Sequence, residues 1–306
     1  KKLGSIASDE IKINYVDFQK DVHHEELINN FHFYHNSNPV NSIFSLRLEW
    51  GIGNYENNKL SYAAGLGGMI GSENYSFNEL KEKLQKIGAT LDFFNTGNYT
   101  GMNIKGFDSY FNETMAITGD FLRTMKVRKE DEKKLKKLIQ GSIIERKFES
   151  RESSAKGNAL REYAIWGESS DYLTRATVKE VKKMNSKMLM DQIEDAMSVE
   201  TSVFYVGNID KETVKKSVQD NLIINQTLRD SNSPFTWEKK LKKTNTVFLY
   251  NDKKAVQSQI YIIVDGEVMN LEERHRSNIF NKYFGGSMSG LVFQEIREFR
   301  SLAYSA

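Results

Sequence analysis

Five histidines, at positions 23, 24, 32, 35 and 275, are the first side chains to weigh for metal or proton chemistry. His32-x-x-His35 lies in Phe31-His32-Phe33-Tyr34-His35. On a strand, residues three apart point to opposite faces, so the pair would chelate poorly. On a helix they could share a face, but no third ligand stands nearby, and the pair reads as packing or a solvated edge. His23-His24-Glu25-Glu26 is a fragment of H-x-x-E-H in which Leu27 takes the place of the second histidine. It reads as an exposed helix start with acids in the first turn, where they meet the positive end of the helix dipole. Serines are plentiful, yet no G-x-S-x-G elbow or Ser–His–Asp order can be picked out. Gly65-Leu66-Gly67-Gly68 and Gly285-Gly286-Ser287 are glycine-rich. Neither continues into Lys-Ser/Thr, and the first lacks G-x-G-x-x-G, so neither is a phosphate-binding loop. The chain has no cysteine, which excludes disulfides, iron–sulfur clusters, thiolate zinc sites and a cysteine nucleophile.

The bulk properties are those of a soluble globular chain. There are 43 Lys and Arg against 41 Asp and Glu over 306 residues, a net charge of +2. Nucleic-acid binders carry a concentrated basic face, and this balance does not supply one, so no nucleic-acid partner is expected. The length suits about two domains at roughly 150 residues each. No apolar run approaches the ~20 residues of a membrane-spanning helix; the longest candidates, such as Ile260-Tyr261-Ile262-Ile263-Val264, are strand-sized. Lys1-Lys2-Leu3-Gly4 is not an initiator start and no apolar targeting segment follows. An internal piece or a processed product is expected.

The elements that must position any site alternate between strand and helix periodicity. Phe44, Leu46, Leu48 and Trp50 alternate with Ser45, Arg47 and Glu49, which predicts a strand with one buried face. Ser76-Phe77-Asn78-Glu79 is a capping box opening a helix that Gly88 closes. Thr90–Asn95 and Tyr99–Phe107 read as a hairpin. Helical spacing runs from Asp108 through Met125 and again over Lys129–Ser150. In that second helix Leu135, Leu138, Ile139 and Ser142 face inward, and Lys133, Lys134, Lys136 and Lys137 face water. Helices are predicted over Ser154–Trp166 and Val178–Ala196, a strand over Ser202–Val206, and a helix capped by Asp210. Asp230-Ser231-Asn232-Ser233-Pro234 is the clearest turn signal. The division expected is a half-domain over 1–228, a linker over 229–243 and the start of a second half-domain over 244–306. In that last stretch strands are expected at Thr246–Tyr250 and Gln259–Val264, and helices at Asn270–Phe284 and Ser287–Arg300. This order predicts an α+β fold, a mixed or antiparallel sheet covered by helices, followed by a truncated second copy.

Two stretches resemble one known family. Tyr283-Phe284-Gly285-Gly286-Ser287-Met288-Ser289-Gly290-Leu291-Val292-Phe293-Gln294-Glu295-Ile296-Arg297-Glu298-Phe299-Arg300-Ser301-Leu302-Ala303-Tyr304-Ser305 resembles the signature of the C-terminal half-domain of the insulinase/pitrilysin zinc peptidases. That family includes mitochondrial processing peptidase. Its pattern is a glycine-bounded turn, a helix with Phe-Gln-Glu-Ile-Arg, then Gly-Leu-Ala-Tyr-Ser; Ser301 stands here for the glycine. The second stretch, Tyr62 to Phe107, follows the family half-domain in order through Ala63-Ala64-Gly65-Leu66-Gly67-Gly68-Met69, Ser76 to Gly88, Ala89-Thr90-Leu91-Asp92 and Asn98-Tyr99-Thr100. Asn38-Pro39-Val40-Asn41-Ser42-Ile43-Phe44-Ser45-Leu46 resembles the start of the second half in large, four-domain bacterial members. The resemblance covers essentially the whole chain.

The resemblance implies half-domains facing one another across a chamber that admits extended peptides. In the family's catalytic half-domains, His-x-x-Glu-His lies on the helix matching Leu60–Ile70. Two histidines four apart share a helix face and hold zinc, and the glutamate activates the metal-bound water. Here the matching positions are Ala64, Gly67 and Gly68, none of which can ligate a metal or transfer a proton. The family's third ligand corresponds to Glu145, which without its partners reads as a surface acid beside Arg146 and Lys147. The expectation is a chain with no cofactor of its own, zinc residing in a separate catalytic half. The family's substrate-contacting Arg and Tyr correspond to Arg297 and Tyr304. Arg forks two hydrogen bonds to a peptide carbonyl and Tyr donates one, so both could steady developing oxyanion charge. The plainer alternative pairs Arg297 with Glu295 or Glu298 and leaves Tyr304 to packing.

The implied function is the non-catalytic C-terminal half of a zinc metalloendopeptidase, with a peptide substrate and a catalytic half-domain of the same chain as partners. The alternatives are an inactive subunit beside a separate active one, and a stand-alone peptide-binding module that adds peptide to a sheet edge. The bacterial periplasm or cell envelope and the cytoplasm both remain open as locations.

Overall fold

The computed structural model describes residues 16–253, 255, 258–266, 268–286 and 288–303. They form two compact units that divide between Gln259 and Ile260.

The first unit is built on a six-stranded sheet. Its strands are β1 (Val22–Ile28), β2 (Phe31–Ser37), β3 (Ile43–Trp50), β5 (Thr90–Asn95), β6 (Thr100–Phe107) and β8 (Thr201–Gly207), in the spatial order β1-β2-β8-β3-β6-β5. The pairs are antiparallel except β2 with β8, which run parallel from Phe31↔Thr201 to Ser37↔Gly207. Alternation in β3 buries Phe44, Leu46, Leu48 and Trp50 on one face. Phe31 and Phe33 of β2, Met102 and Ile104 of β6, and Val203 and Tyr205 of β8 join that face as its core. Their neighbours in sequence, among them Tyr34, Arg47 and Phe204, are half-exposed on the other face. The fold is therefore α+β, a mostly antiparallel sheet with helices on its apolar face.

The helices of the first unit are α1 (Leu60–Gly67), α2 (Phe77–Lys86), α3 (Phe111–Thr124), α4 (Lys129–Glu149), α5 (Ser153–Trp166), α6 (Asp171–Thr174), α7 (Val178–Lys183), α8 (Ser186–Ala196) and α9 (Lys211–Asn221). A two-strand ribbon joins β4 (Gly71–Ser72) to β7 (Met125–Lys126). Helix α2 starts in the capping box read from the sequence. Ser76 Oγ accepts from the Glu79 N–H, and the Glu79 carboxylate accepts from the Ser76 N–H at 2.7 Å. Gly88 follows α2 at φ +65°, a left-handed conformation that glycine adopts without Cβ strain. The helix expected over Val178–Ala196 is two helices. Thr177 caps α7 and Asn185 caps α8, its Oδ1 accepting from Met188 N–H at 3.0 Å. The cap at Asn185 re-aims the chain so that Leu189 and Ile193 reach the core.

Residues 231–240 run along the first unit. Ser231 Oγ donates to Gly51 O at 2.5 Å, Ser233 Oγ to Asn98 O at 2.7 Å, and Lys240 N–H to Ile165 O at 2.7 Å. Two sequence expectations fail nearby. Thr246–Tyr250 and Gln259–Val264 are not strands; Val247, Leu249, Ile260, Ile262 and Val264 are more than four-fifths exposed. A strand is stabilised by its ladder, and among the described residues neither segment has a neighbouring strand to form one.

The second unit holds α10 (Leu271–Phe284), capped by Asn270 with Glu273 in a second capping box. The helix expected over Ser287–Arg300 is shorter: residues 291–292 are α-helical and Phe293–Glu298 form a π-turn. Among the described residues no helix is long and apolar enough to cross a membrane.

Candidate functional site

Helix α1 and its C-cap carry Ala64, Gly67 and Gly68, the positions that the sequence resemblance matches to the zinc motif. The helix is short, and its residues facing the sheet and its helical neighbours are buried. Leu60, Ala63 and Leu66 of α1 are buried, with Ala64 at 6 % exposure. Gly67 is buried against Phe93 of β5. A Cβ at that position would come to 2.8–2.9 Å of three Phe93 ring carbons, inside any normal carbon–carbon contact. The Phe93 ring stands with centroids 6.2 Å from Trp50 and 6.1 Å from Phe121. Any side chain at position 67 would thus run into an aromatic cluster. Gly68 differs: it is exposed, and a Cβ there would meet only Ala64 O at 3.6 Å and Gly65 O at 3.8 Å.

Across from α1, helix α4 presents polar groups other than the one implied by the resemblance. Tyr62 Oη and Ser142 Oγ are 2.7 Å apart. Arg146 donates to Tyr62 Oη at 3.4 Å and to the Ala176 carbonyl. Glu145 points out of this contact and is exposed. The polar link between the two helices is therefore Tyr62–Ser142–Arg146, and Glu145 is no part of it. Sequence inspection missed Arg146 and Ser142 in this role; Ser142 on an otherwise apolar stripe was the available signal. Among the described residues, no group of three or more His, Cys, Asp or Glu is spaced to hold a metal. The residues at α1 do not fit a zinc ion.

The histidines of the first unit are on strands. His23-His24-Glu25-Glu26, expected to open a helix, lies in β1, because its backbone groups are taken up by antiparallel pairing with β2 from Val22↔Asn36 onward. His32 and His35 lie on opposite faces of β2. His35 is buried, stacked on Tyr205 at 5.0 Å, its Nε2 2.9 Å from Ile209 O. His32 stays half-exposed beside Glu200 and His24. Tyr205 Oη accepts from Ile209 N–H at 3.1 Å, and burial pushes the phenol up to about 12.

Arg297 sits in the π-turn of the second unit. Its guanidinium carbon lies 4.7 Å over the Phe293 ring, and its Nε is 3.6 Å from Glu298 Oε1. Its side chain keeps about one-third exposure. Glu295 is engaged instead by Arg300. Tyr304 lies outside the described residues.

Residues 199–306 match the family model of the peptidase M16 inactive domain. It is this stretch, about a third of the chain, that is similar to the M16 peptidases' inactive domain. A curated relative, the "uncharacterized zinc protease YmxG" of Bacillus subtilis, is 23 % identical over 244 residues, 77 % of this chain and 56 % of its own length. The peptidase M16 inactive domain from Pseudomonas fluorescens superposes with a TM-score of 0.64 at 9 % identity, over 93 % of this chain and 69 % of that one. The ferredoxin protease FusC, a point mutant in complex with Arabidopsis ferredoxin, superposes at 0.60 and 11 % identity, over 74 % of this chain and 25 % of its own. The chain thus spans about half of the Bacillus relative and a quarter of FusC.

Proposed function

We propose that this chain forms part of the chamber wall of a zinc metalloendopeptidase whose metal and general base reside in a separate catalytic half-domain. The observation that carries the reading is Gly67 against Phe93: the helix that would carry the hydrolytic motif is committed to packing. Zinc bound in the other half would supply the activated water. This chain would grip and orient the peptide.

In that role Arg297 and Tyr304 touch the substrate. Phe293 beneath the guanidinium limits the rotamers of Arg297 and so reduces the entropy lost on binding. A peptide carbonyl would exchange with Glu298 as the partner of an N–H on that fork. The match over 199–306 includes both residues.

The test is reconstitution with the catalytic half encoded by the same or a neighbouring gene. This chain alone should cleave no peptide and should carry no zinc after dialysis against a chelator. The reconstituted pair should cleave, and Arg297→Ala or Tyr304→Phe should lower turnover at least tenfold with an unchanged unfolding midpoint. Unchanged turnover in both variants would remove their assigned role, and hydrolysis by the purified chain alone would overturn the reading as a whole.

A further inference from the structure

On the open face of the sheet, away from α1, two imidazoles converge across β1 and β2. His24 Nε2 lies 3.3 Å from His32 Nδ1. The far nitrogen of His32, Nε2, lies 3.3 Å from Glu200 Oε1. The Glu200 carboxylate faces that nitrogen at ion-pair distance, and the nitrogen on the other side of the ring, Nδ1, faces His24. Glu200 is itself held, its Oε2 accepting from Ser231 N–H at 3.3 Å and its own carbonyl from Gly51 N–H at 2.8 Å. His24 is oriented by stacking: its ring lies 4.4 Å from Tyr34 at 12°, and Tyr34 lies 4.8 Å from Phe204 at 12°. Both rings are thus set by neighbours before any ligand arrives.

We propose that His24 and His32 bind one first-row divalent cation of the imidazole-preferring class, Cu²⁺ ahead of Ni²⁺ and Zn²⁺, with solvent filling the remaining positions. Nitrogens 3.3 Å apart, each about 2.0–2.1 Å from a common metal, subtend roughly 104–111° at it, somewhat wider than the cis angle of a tetragonal Cu²⁺ site, which a small approach of the two rings would reach. A carboxylate on the distal nitrogen of a ligating histidine is the usual outer support of such sites, and its loss costs roughly 10- to 100-fold in affinity. The order Cu²⁺ above Ni²⁺ and Zn²⁺ is the general affinity order of divalent first-row metals at a given nitrogen site, and imidazole ligands suit all three. His24 is exposed, so a hydrated ion can reach the pair. The cation would clip the edge strand β1 to β2. With only two protein ligands it is a weak, exchangeable site, distinct from the chelator-resistant zinc of a peptidase centre, and it does not depend on the function proposed above.

The test is calorimetric titration of the untagged chain with NiCl₂ and, in parallel, electron paramagnetic resonance with one equivalent of CuCl₂. The expected result is one Ni²⁺ per chain, a Cu²⁺ signal with nitrogen couplings from two imidazoles, and a rise in unfolding temperature with added Ni²⁺. His24→Ala should abolish all three. Glu200→Gln should weaken Ni²⁺ binding roughly 10- to 100-fold, and His275→Ala, on exposed α10, should change nothing. His24 is exposed, so its alanine variant remains informative if His32→Ala folds poorly. No Ni²⁺ binding by the unmodified chain, or binding that survives His24→Ala, would overturn the proposal.

Discussion

Gly67→Ala asks whether α1 is a packing helix and little else. The added methyl would lie 2.8 Å from Phe93 Cζ and 2.9 Å from both Cε atoms. Phe93 is half-buried and wedged near Trp50 and Phe121, so it can yield a little but not swing clear. Overpacking of this kind costs about 1–3 kcal/mol. Replacing glycine by alanine within a helix returns up to about 1 kcal/mol, and less at Gly67, the last residue of α1. The net expectation is destabilisation by about 1 kcal/mol, or roughly 2–4 °C in the unfolding midpoint for a unit of this size. Gly68→Ala is the internal control. Its methyl would meet only ordinary contacts at 3.6 and 3.8 Å, at a φ of −73° that any residue adopts. It should fall within about 0.5 kcal/mol of the parent. Chemical denaturation of the two variants, repeated in a Phe93→Ala background, completes the cycle. The cost at position 67 should vanish once the ring is removed. If Gly67→Ala were as stable as Gly68→Ala with Phe93 intact, the ring would not be what bars a larger residue, and the argument that α1 cannot house the hydrolytic glutamate would fall.

Two further outcomes concern ionisable groups. Tyr205, pushed up to about 12 by burial, binds its proton more tightly in the folded state, so stability is full below pH ~10 and falls as pH rises from there toward 12. Tyr205→Phe should flatten that alkaline limb and cost about 1–3 kcal/mol at neutral pH, because Ile209 N–H loses its acceptor; an alkaline limb unchanged in urea titrations would refute it. Glu79, Glu180 and Asp210 are all lowered, chiefly by backbone N–H groups at helix starts, those of Ser76, Thr177 and Thr213. Their contribution is present above the ordinary carboxylate range and is lost as pH falls through the lowered folded values. Glu79→Gln should make the acid limb shallower, and an identical slope would show that the capping box does not contribute to it.

Much of the molecule is local and therefore legible in the chain itself. The period-two run Phe44–Trp50 names its own buried face, Ser76-x-x-Glu79 marks a helix start, and the 90–107 hairpin forms between neighbouring segments. Reading Ala64, Gly67 and Gly68 as inert also needs no structure, since no side chain of those types can hold a metal. Where the inference rested on local pattern without its partner, it failed. Thr246–Tyr250 has the alternation of a strand and, among the described residues, no strand beside it. His23-His24-Glu25-Glu26 has the acids of a helix start, but pairing with β2 made it a strand.

What only tertiary structure decided are the meetings of residues far apart in sequence. Phe93 against Gly67, Ser142 beneath Tyr62, the parallel pairing of Phe31–Ser37 with Thr201–Gly207, and Glu200 behind His32 are set by how the sheet is threaded. The sequence pairs His32 with His35 by spacing, and the strand sends those two to opposite faces. The partner His32 finds is His24, because an antiparallel turn brings β1 back along β2 with the two rings on one face. Periodicity records which face a side chain occupies, whereas its neighbour across the sheet depends on register and strand order, which no single segment encodes.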